Sequence, residues 1–425
     1  MFGFATRLFG LRQNLGMRYS PFYFLAALGN GGMAVAFFIW LNFLIPHPKT
    51  PIVTFDVIAA FMSGASAVSQ AFTIIAMAMI IFFAVNHLRL MIWNAREYGQ
   101  YKKTSAYLSL RETNGSIALM GIPLTLGMTV NVIFVLGAVF VPGLWNIVEY
   151  LFPISLTALF AVGVLALRIF LSTFGRALAT GHFDCTRNNN LTQLQSVMAF
   201  TMIAVGLAAP AAMSTVRATI AVSILGAMFF LAAAALMGVV LLVLGFRGML
   251  EHGLAVEAGP SLWMLIPILT LAGIAIVRIT HGLHSGFEAH TEPYSMFLLT
   301  GGIVGLQLLV GLIGYSVMNQ VGYLRTYLWG KANSPGSFAL ICPAVALFVF
   351  GMFFIHMGLV QTGLIAKYSL PYFLAIAPFA VVQMIGIVSM VRLEDKLLRP
   401  VHPDAAHEEE HAHEEAIVST DIATA

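Results

Sequence analysis

Long apolar runs alternate with short polar stretches along the chain, and the alternation repeats ten times. Windows of about 19 residues predict membrane-spanning helices near 21–46, 66–88, 116–141, 148–174, 194–213, 216–246, 261–280, 295–322, 337–361 and 369–391. Each is long enough to cross a hydrocarbon layer of about 30 Å. The stretch 54–65 is apolar but short and reads as a partial or re-entrant segment. Pro210 and the Ala-Met-Ser-Thr turn before Val216 draw the fifth and sixth spans into a tight hairpin.

Within this pattern three stretches begin alike: Gly115-Ser-Ile-Ala-Leu-Met-Gly-Ile-Pro123, Pro260-Ser-Leu-Trp-Met-Leu-Ile-Pro267 and Gly336-Ser-Phe-Ala-Leu-Ile-Cys-Pro343. A recurrence of this kind marks a fold built from copies of one unit. A proline inside a spanning helix leaves the carbonyl four residues earlier without its partner. In hydrocarbon that is tolerated only where protein or a water-filled cavity satisfies the freed group. Several such helices in one bundle imply a central pathway. The odd spans share these features: Gly29-Asn30-Gly31-Gly32 in the first, Gly121-Ile122-Pro123 in the third, and Asn190-Leu-Thr-Gln-Leu-Gln-Ser196 opening the fifth. Small residues, prolines and isolated amides suit close packing around a polar lumen. Even spans such as 218–246 are more uniformly apolar and suit contact with lipid. The predicted fold is an all-α integral membrane bundle, ten transmembrane helices as five helical hairpins around a pseudo-fivefold central pathway, with the odd helices inside.

Composition agrees with that class. The chain is 59% apolar and 9% charged, with a mean hydropathy of +0.89, against about a quarter charged in soluble domains. Of the 21 Lys and Arg, all but Lys49, Arg217, Arg278 and Lys367 fall in the segments that share a side with the termini. The positive-inside rule then makes both termini cytoplasmic. Residues 1–19 carry Arg7, Arg12 and Arg18 among Phe2, Phe4, Leu8 and Phe9 and read as an interfacial amphipathic helix. Residues 20–392 form the membrane domain. From 393 to 425 the chain is rich in His and Glu and poor in apolar residues, the composition of a disordered cytoplasmic tail.

Candidate chemistry is sparse. Cys185 and Cys342 are too few and too far apart for a disulfide framework. Cys342 reads either as a small buried hydrophobe or, beside Pro343, as a thiol on the pathway. After the seventh span, Arg278-Ile-Thr-His281-Gly-Leu-His284-Ser-Gly-Phe-Glu288 puts His281, His284 and Glu288 on one face of a continuing helix. With His356 from the ninth span they would suit zinc, iron or copper. A haem would need His281 and His356 at matching depth. The other reading is an interfacial loop whose histidines meet headgroups and water. Asn30, Asn131, Gln307, Asn319 and Gln383 are neutral polar residues within spans, and Arg217 and Arg278 lie where they would draw anions inward. No Walker loop, Rossmann glycine fingerprint or Gly-x-Ser-x-Gly elbow is present.

The order of spans, with its prolines and small residues, resembles the tellurite-resistance/dicarboxylate-transporter superfamily, which includes TehA-type and plant slow anion channels. The runs Asp184-Cys-Thr-Arg-Asn-Asn-Asn-Leu-Thr-Gln-Leu and Leu207-Ala-Ala-Pro-Ala-Ala-Met-Ser214 are closer to the TsoY family of bacterial membrane proteins, some of which are selenoproteins. The resemblance implies an anion pore lined by odd helices, a bacterial inner-membrane location and a homotrimer. It also implies a gate at Cys342-Pro343, where the slow anion channels carry a phenylalanine plug before the proline. The matching positions are Ile122-Pro123 and Ile266-Pro267. A thiol there departs from the family at the gate itself.

The expected function is therefore a channel or transporter for a small anionic or neutral solute, including sulfur or selenium species. Its gate is expected at Cys342-Pro343, with Pro123, Pro267, Ile122, Ile266, Asn30 and Arg278 along the path. The alternatives are a membrane redox protein using Cys342 or an outer metal or haem, and a membrane partner of other proteins. Expected partners are lipid and the solute; nucleic acid is not expected. The orientation is open to direct test. With single cysteines at Lys49 and Lys103, an impermeant thiol reagent should label the first in intact cells and spare the second, and the reverse would invert the assignment.

Overall fold

The computed structural model describes residues 10–181, 184, 188–288 and 293–400. Residues 1–9, Cys185, His290 and the acidic tail from 401 onward lie outside the described residues. Ten helices are long and apolar enough to cross a membrane: α1 Pro21–Leu44, α2 Ala67–Tyr101, α3 Asn114–Phe140, α4 Leu144–Thr180, α5 Thr192–Met213, α6 Arg217–His252, α7 Val256–Phe287, α8 Tyr294–Gln320, α9 Pro335–Val360 and α10 Leu370–Leu398. No strand occurs among the described residues. This is the architecture of a multi-pass membrane protein.

Several helices outrun their apolar windows. Hydropathy ends the second span near 88, yet α2 continues to Tyr101, 35 residues in all, or about 52 Å of helix. Polar residues propagate a helix as readily as apolar ones, so transfer energy locates the membrane and not the helix end. The apolar stretch after α1 is a separate helix, Phe55–Gly64, too short to cross, which packs against α3. Residues 10–19 are not an α-helix. Gly10, Asn14 and Gly16 take left-handed backbone angles, and only Gly16–Arg18 make a 3-10 turn. The segment is instead a strap whose Leu11, Leu15 and Tyr19 are buried. Glu97 accepts the backbone N–H groups of Asn14 (3.2 Å) and Leu15 (2.9 Å), and Trp93 Nε1 donates to Arg12 O at 2.6 Å. The Arg12 N–H reaches Leu398 O at 2.8 Å, joining the strap to the end of α10.

Burial separates the helices into two classes. In the apolar windows of α1, α3, α5, α7 and α9, 50–83% of residues are buried inside the protein, against 17–33% in the even helices. Each odd helix packs on the even helix that follows it. Odd helices also pack on one another, α1 with α3, α3 with α5, α5 with α7, α7 with α9, and α9 with α1. Hydrogen bonds cross these seams where hydrocarbon would leave polar groups unpaired. Thr125 Oγ1 donates to Phe24 O (3.2 Å), Thr270 Oγ1 to Ala346 O (2.9 Å) and Gln307 Nε2 to Ile266 O (2.9 Å). His87, buried on α2, joins Ala27 O at 2.7 Å and Thr129 Oγ1 at 2.9 Å.

The repeated prolines do not kink their helices. All five odd helices open with a 3-10 segment: Pro21–Tyr23, Asn114–Met120, Thr192–Leu194, Val256–Trp263 and Pro335–Leu340. The α-helical part begins at Gly121, Leu265 or Ile341 in the three repeats. Pro123, Pro267 and Pro343 are therefore each its third residue. First-turn N–H groups have no partner within the helix, so a residue without an N–H fits there. Pro210 differs, because it sits inside α5, near its far end.

Close approach of α5 and α7 depends on Gly282. A Cβ there would lie 2.6 Å from Ala211 O, a backbone atom that cannot yield as a flexible side chain would. Gly282→Ala should destabilise the protein by about 1–3 kcal/mol, the usual cost of overpacking. Gly302→Ala, with nothing within 4 Å of its added Cβ, should leave the thermal midpoint in detergent unchanged or raised.

Candidate functional site

A cavity of about 160 Å³ lies between the odd helices and is lined by residues from all five, with α4 contributing Ser155 and Leu159. On α5 the lining residues Met198, Met202, Val205 and Ala209 recur at i, i+4, i+7 and i+11, one continuous face of a helix. Small residues on α1, Gly29 and Gly32, let the packed side chains of Ile341 and Val345 approach and shape the wall. Most of the lining is apolar. Asn131, Ser155, Thr270 and Cys342 add polar or sulfur atoms, and Arg278 supplies the one charge; no carboxylate lines the space.

Arg278 owes its position to α7, whose Pro267, Thr270, Leu271 and Ile274 line the same cavity. Its Nη1 donates to Val205 O on α5 at 2.7 Å. That carbonyl adjoins Gly206 O, the group that Pro210 leaves without a helical N–H. The guanidinium thus reaches α5 next to the carbonyl that Pro210 frees. No carboxylate pairs with Arg278 among the described residues. A cation without a carboxylate partner beside a largely apolar cavity marks a functional candidate.

A second space, about 580 Å³, lies where the odd helices begin. Its walls come from the strap (Arg18, Ser20), the 3-10 openings of the odd helices and the loop holding Asn188 and Asn190. On α7, Met264 lines this vestibule and Pro267 the central cavity; on α9, Ala339 and Cys342 do the same. Only three residues, about 4.5 Å of helix rise, separate the two spaces there.

The residues singled out from sequence scatter over these features. Cys342, 9% exposed, lines the cavity together with Pro267 and Arg278. Ile122, Pro123, Ile266 and Pro343 do not line it. Asn30 faces away, and its Nδ2 donates to Ala26 O at 3.0 Å and to Glu394 Oε1 at 2.5 Å. Sequence reading missed Glu394 because the last hydropathy window closed at 391.

The outer histidines are not assembled. His281, His284 and Glu288 are exposed, and Glu288 lies 3.9 Å from Arg217, a surface pair of small energetic weight. His356 is buried and stacked on Phe43. Its Nδ1 meets Met352 O at 2.7 Å and its Nε2 meets Tyr372 Oη at 2.8 Å, so neither nitrogen faces a ligand. Among the described residues no group of three His, Cys, Asp or Glu is placed to hold a metal. Compared with known proteins, the chain matches no family model, no curated sequence and no solved structure.

His47, in the loop after α1, carries a pH-dependent contribution to stability. Burial holds its imidazole below the usual value, the Ile45 carbonyl at 2.7 Å partly offsets this, and Lys367 adds to the lowering. Between the lowered folded value and about 6.5 the unfolded chain binds the extra proton, so stability rises with pH there. The contribution is complete above pH 6.5 and is lost as pH falls through the folded value. Thermal midpoints between pH 5 and 8 should show this acid limb, and His47→Gln should flatten it.

Proposed function

We propose that the protein is a channel or transporter that passes a small anion along an axis enclosed by the odd helices, with five helical hairpins in pseudo-fivefold order around it. The single observation that carries this reading is Arg278, the only charge on the cavity wall, with a backbone carbonyl as its partner and no carboxylate among the described lining residues. A unit negative charge about 4 Å away would gain about 4 kcal/mol at an effective dielectric of 20, whereas a cation would lose as much. Neutral amides alone give no such bias. The mutual packing of the odd helices and their greater burial support the hairpin arrangement. Four methionines on the wall, Met128, Met198, Met202 and Met213, suit a polarisable anion, sulfur and selenium species included.

On this reading Cys342 stands at the inner end of the cavity, at the gate that the resemblance to the slow anion channels assigns to it. Both termini are cytoplasmic, as the lysine and arginine distribution requires, and the resemblance extends to a homotrimer in the bacterial inner membrane. Purified protein in liposomes, loaded with a halide-sensitive dye, should admit iodide and nitrate faster than protein-free liposomes. Arg278→Met should lower the flux about tenfold or more, and Arg278→Lys should keep part of it. Cys342→Phe should block and Cys342→Ser should conduct. Flux equal to that of empty liposomes for every anion, or no change in the Arg278 and Cys342→Phe variants, would overturn the reading.

A further inference from the structure

Gln195 is fully buried, and neither its Nε2 nor its Oε1 has a hydrogen-bond partner among the described residues. Buried amides almost always find partners, and the other amides of the odd helices do so at least in part: Asn30 donates to Glu394 and Gln193 to Asn114 O. The position of Gln195 explains the exception. Its number continues the cavity-facing stripe of α5, so that 195, 198, 202, 205 and 209 share one face, and Gln195 lies one turn below Met198. Gln193, two residues earlier, lines the vestibule. Gln195 therefore belongs to the layer that separates the two spaces.

Its neighbours put the amide on the inside of the ring. A Cβ on Gly121 of α3 would lie 2.9 Å from Gln195 Nε2, 3.4 Å from Pro21 O and 3.6 Å from Phe24 Cβ. The group thus adjoins α3 and α1 while belonging to α5. Since α1 packs beside α3 and α9, and α5 beside α3 and α7, a point close to all three helices falls on the enclosed side. Gly121 is what leaves room for it, because any side chain there would meet the amide. Ser116 Oγ, 1% exposed and likewise without a partner among the described residues, sits between the vestibule residues Gly115 and Ile117.

We propose that Gln195 is a solute-binding station in the septum, its NH2 group donating to a monovalent anion in passage between the vestibule, whose lining carries both Arg18 and Glu257, and Arg278 in the cavity. The proposal rests on the pathway reading above and deepens it. Phe24 lies beside the amide and the Thr125 hydroxyl nearby already donates to Gly121 O and Phe24 O, so Gln195 offers an anion crossing there a side-chain N–H not already engaged. Water held by the same amide is the rival role, since a polar, enclosed site suits one.

Iodide and nitrate flux in liposomes separates the two. Gln195→Leu, which keeps the volume and removes the unpaired amide, should lower flux about tenfold, the scale of one lost hydrogen bond in a dry layer. Its thermal midpoint should stay level or rise, because no internal partner is lost. Gln195→Asn should retain part of the flux, and Gln195→Glu, which places a like charge in the layer, should abolish it. Nitrate should raise the thermal midpoint of the wild type and have a smaller effect on Gln195→Leu. This last comparison needs only detergent-solubilised protein and holds if the variant reconstitutes poorly. A conducting wild type with an equally conducting, equally nitrate-stabilised Gln195→Leu overturns the station and leaves the pathway standing. A wild type that passes no anion overturns both.

Discussion

A polar group carried into hydrocarbon must be satisfied from within the protein, because no water is there to take the place of a missing partner. That constraint organises this bundle. Thr125, Thr270, Gln307 and His87 each send a side chain across a helix seam to a backbone carbonyl. Thr125 and Thr270 join odd helices to one another, and His87 and Gln307 tie the even helices α2 and α8 to odd ones. The even helices also show broad apolar faces, such as Leu225, Leu236, Val239 and Val243 on α6. Against so strict a rule departures gain meaning, and two matter here. Arg278 has a charge without a counter-charge, and Gln195 has an amide without a partner. Both lie on odd helices, α7 and α5.

The 3-10 openings serve the same end. A 3-10 turn is narrower and longer per residue than an α turn, and all five odd helices begin with one before widening into α-helix. The vestibule lies at these openings and the cavity lies among the α-helical parts. Proline stands at the third α position, just after this change of helix type, in three of the five. What looked in the sequence like a hinge within a span is a starting point for one.

Hydropathy and charge made the ten spans legible nearly residue for residue at their apolar ends, since transfer energy depends on composition alone. The helix ends at Tyr101, Thr180 and Leu398 were not legible, because they are held by packing and by contacts distant in sequence, such as Glu97 with the strap. Cys342 and Arg278 could be reached from the repeat and from an isolated charge. Ile122 and Ile266 could not be judged the same way, because counting from a proline does not fix the rotation of a helix about its own axis. Gln195 lay in plain view within a quoted run, yet an amide announces itself only when its partners are known to be missing. The histidines misled for the same reason: spacing on one helix cannot show that His356 is already engaged by Met352 and Tyr372.

The bond from the Arg12 N–H to Leu398 O, with the Arg12 side chain donating to Arg399 O at 2.8 Å, bears on how the molecule is made. The first described residues dock against α10, and α1 packs on α9 as well as on α3. During synthesis the leading helix must wait, with its strap and one flank uncovered, until nearly the whole chain has left the ribosome. Ring closure is then a late event of high contact order, the kind that is slow because distant segments must meet. Until it happens Glu97 and Trp93 can hold the strap from one side only. Biogenesis of this protein thus ends where its sequence begins.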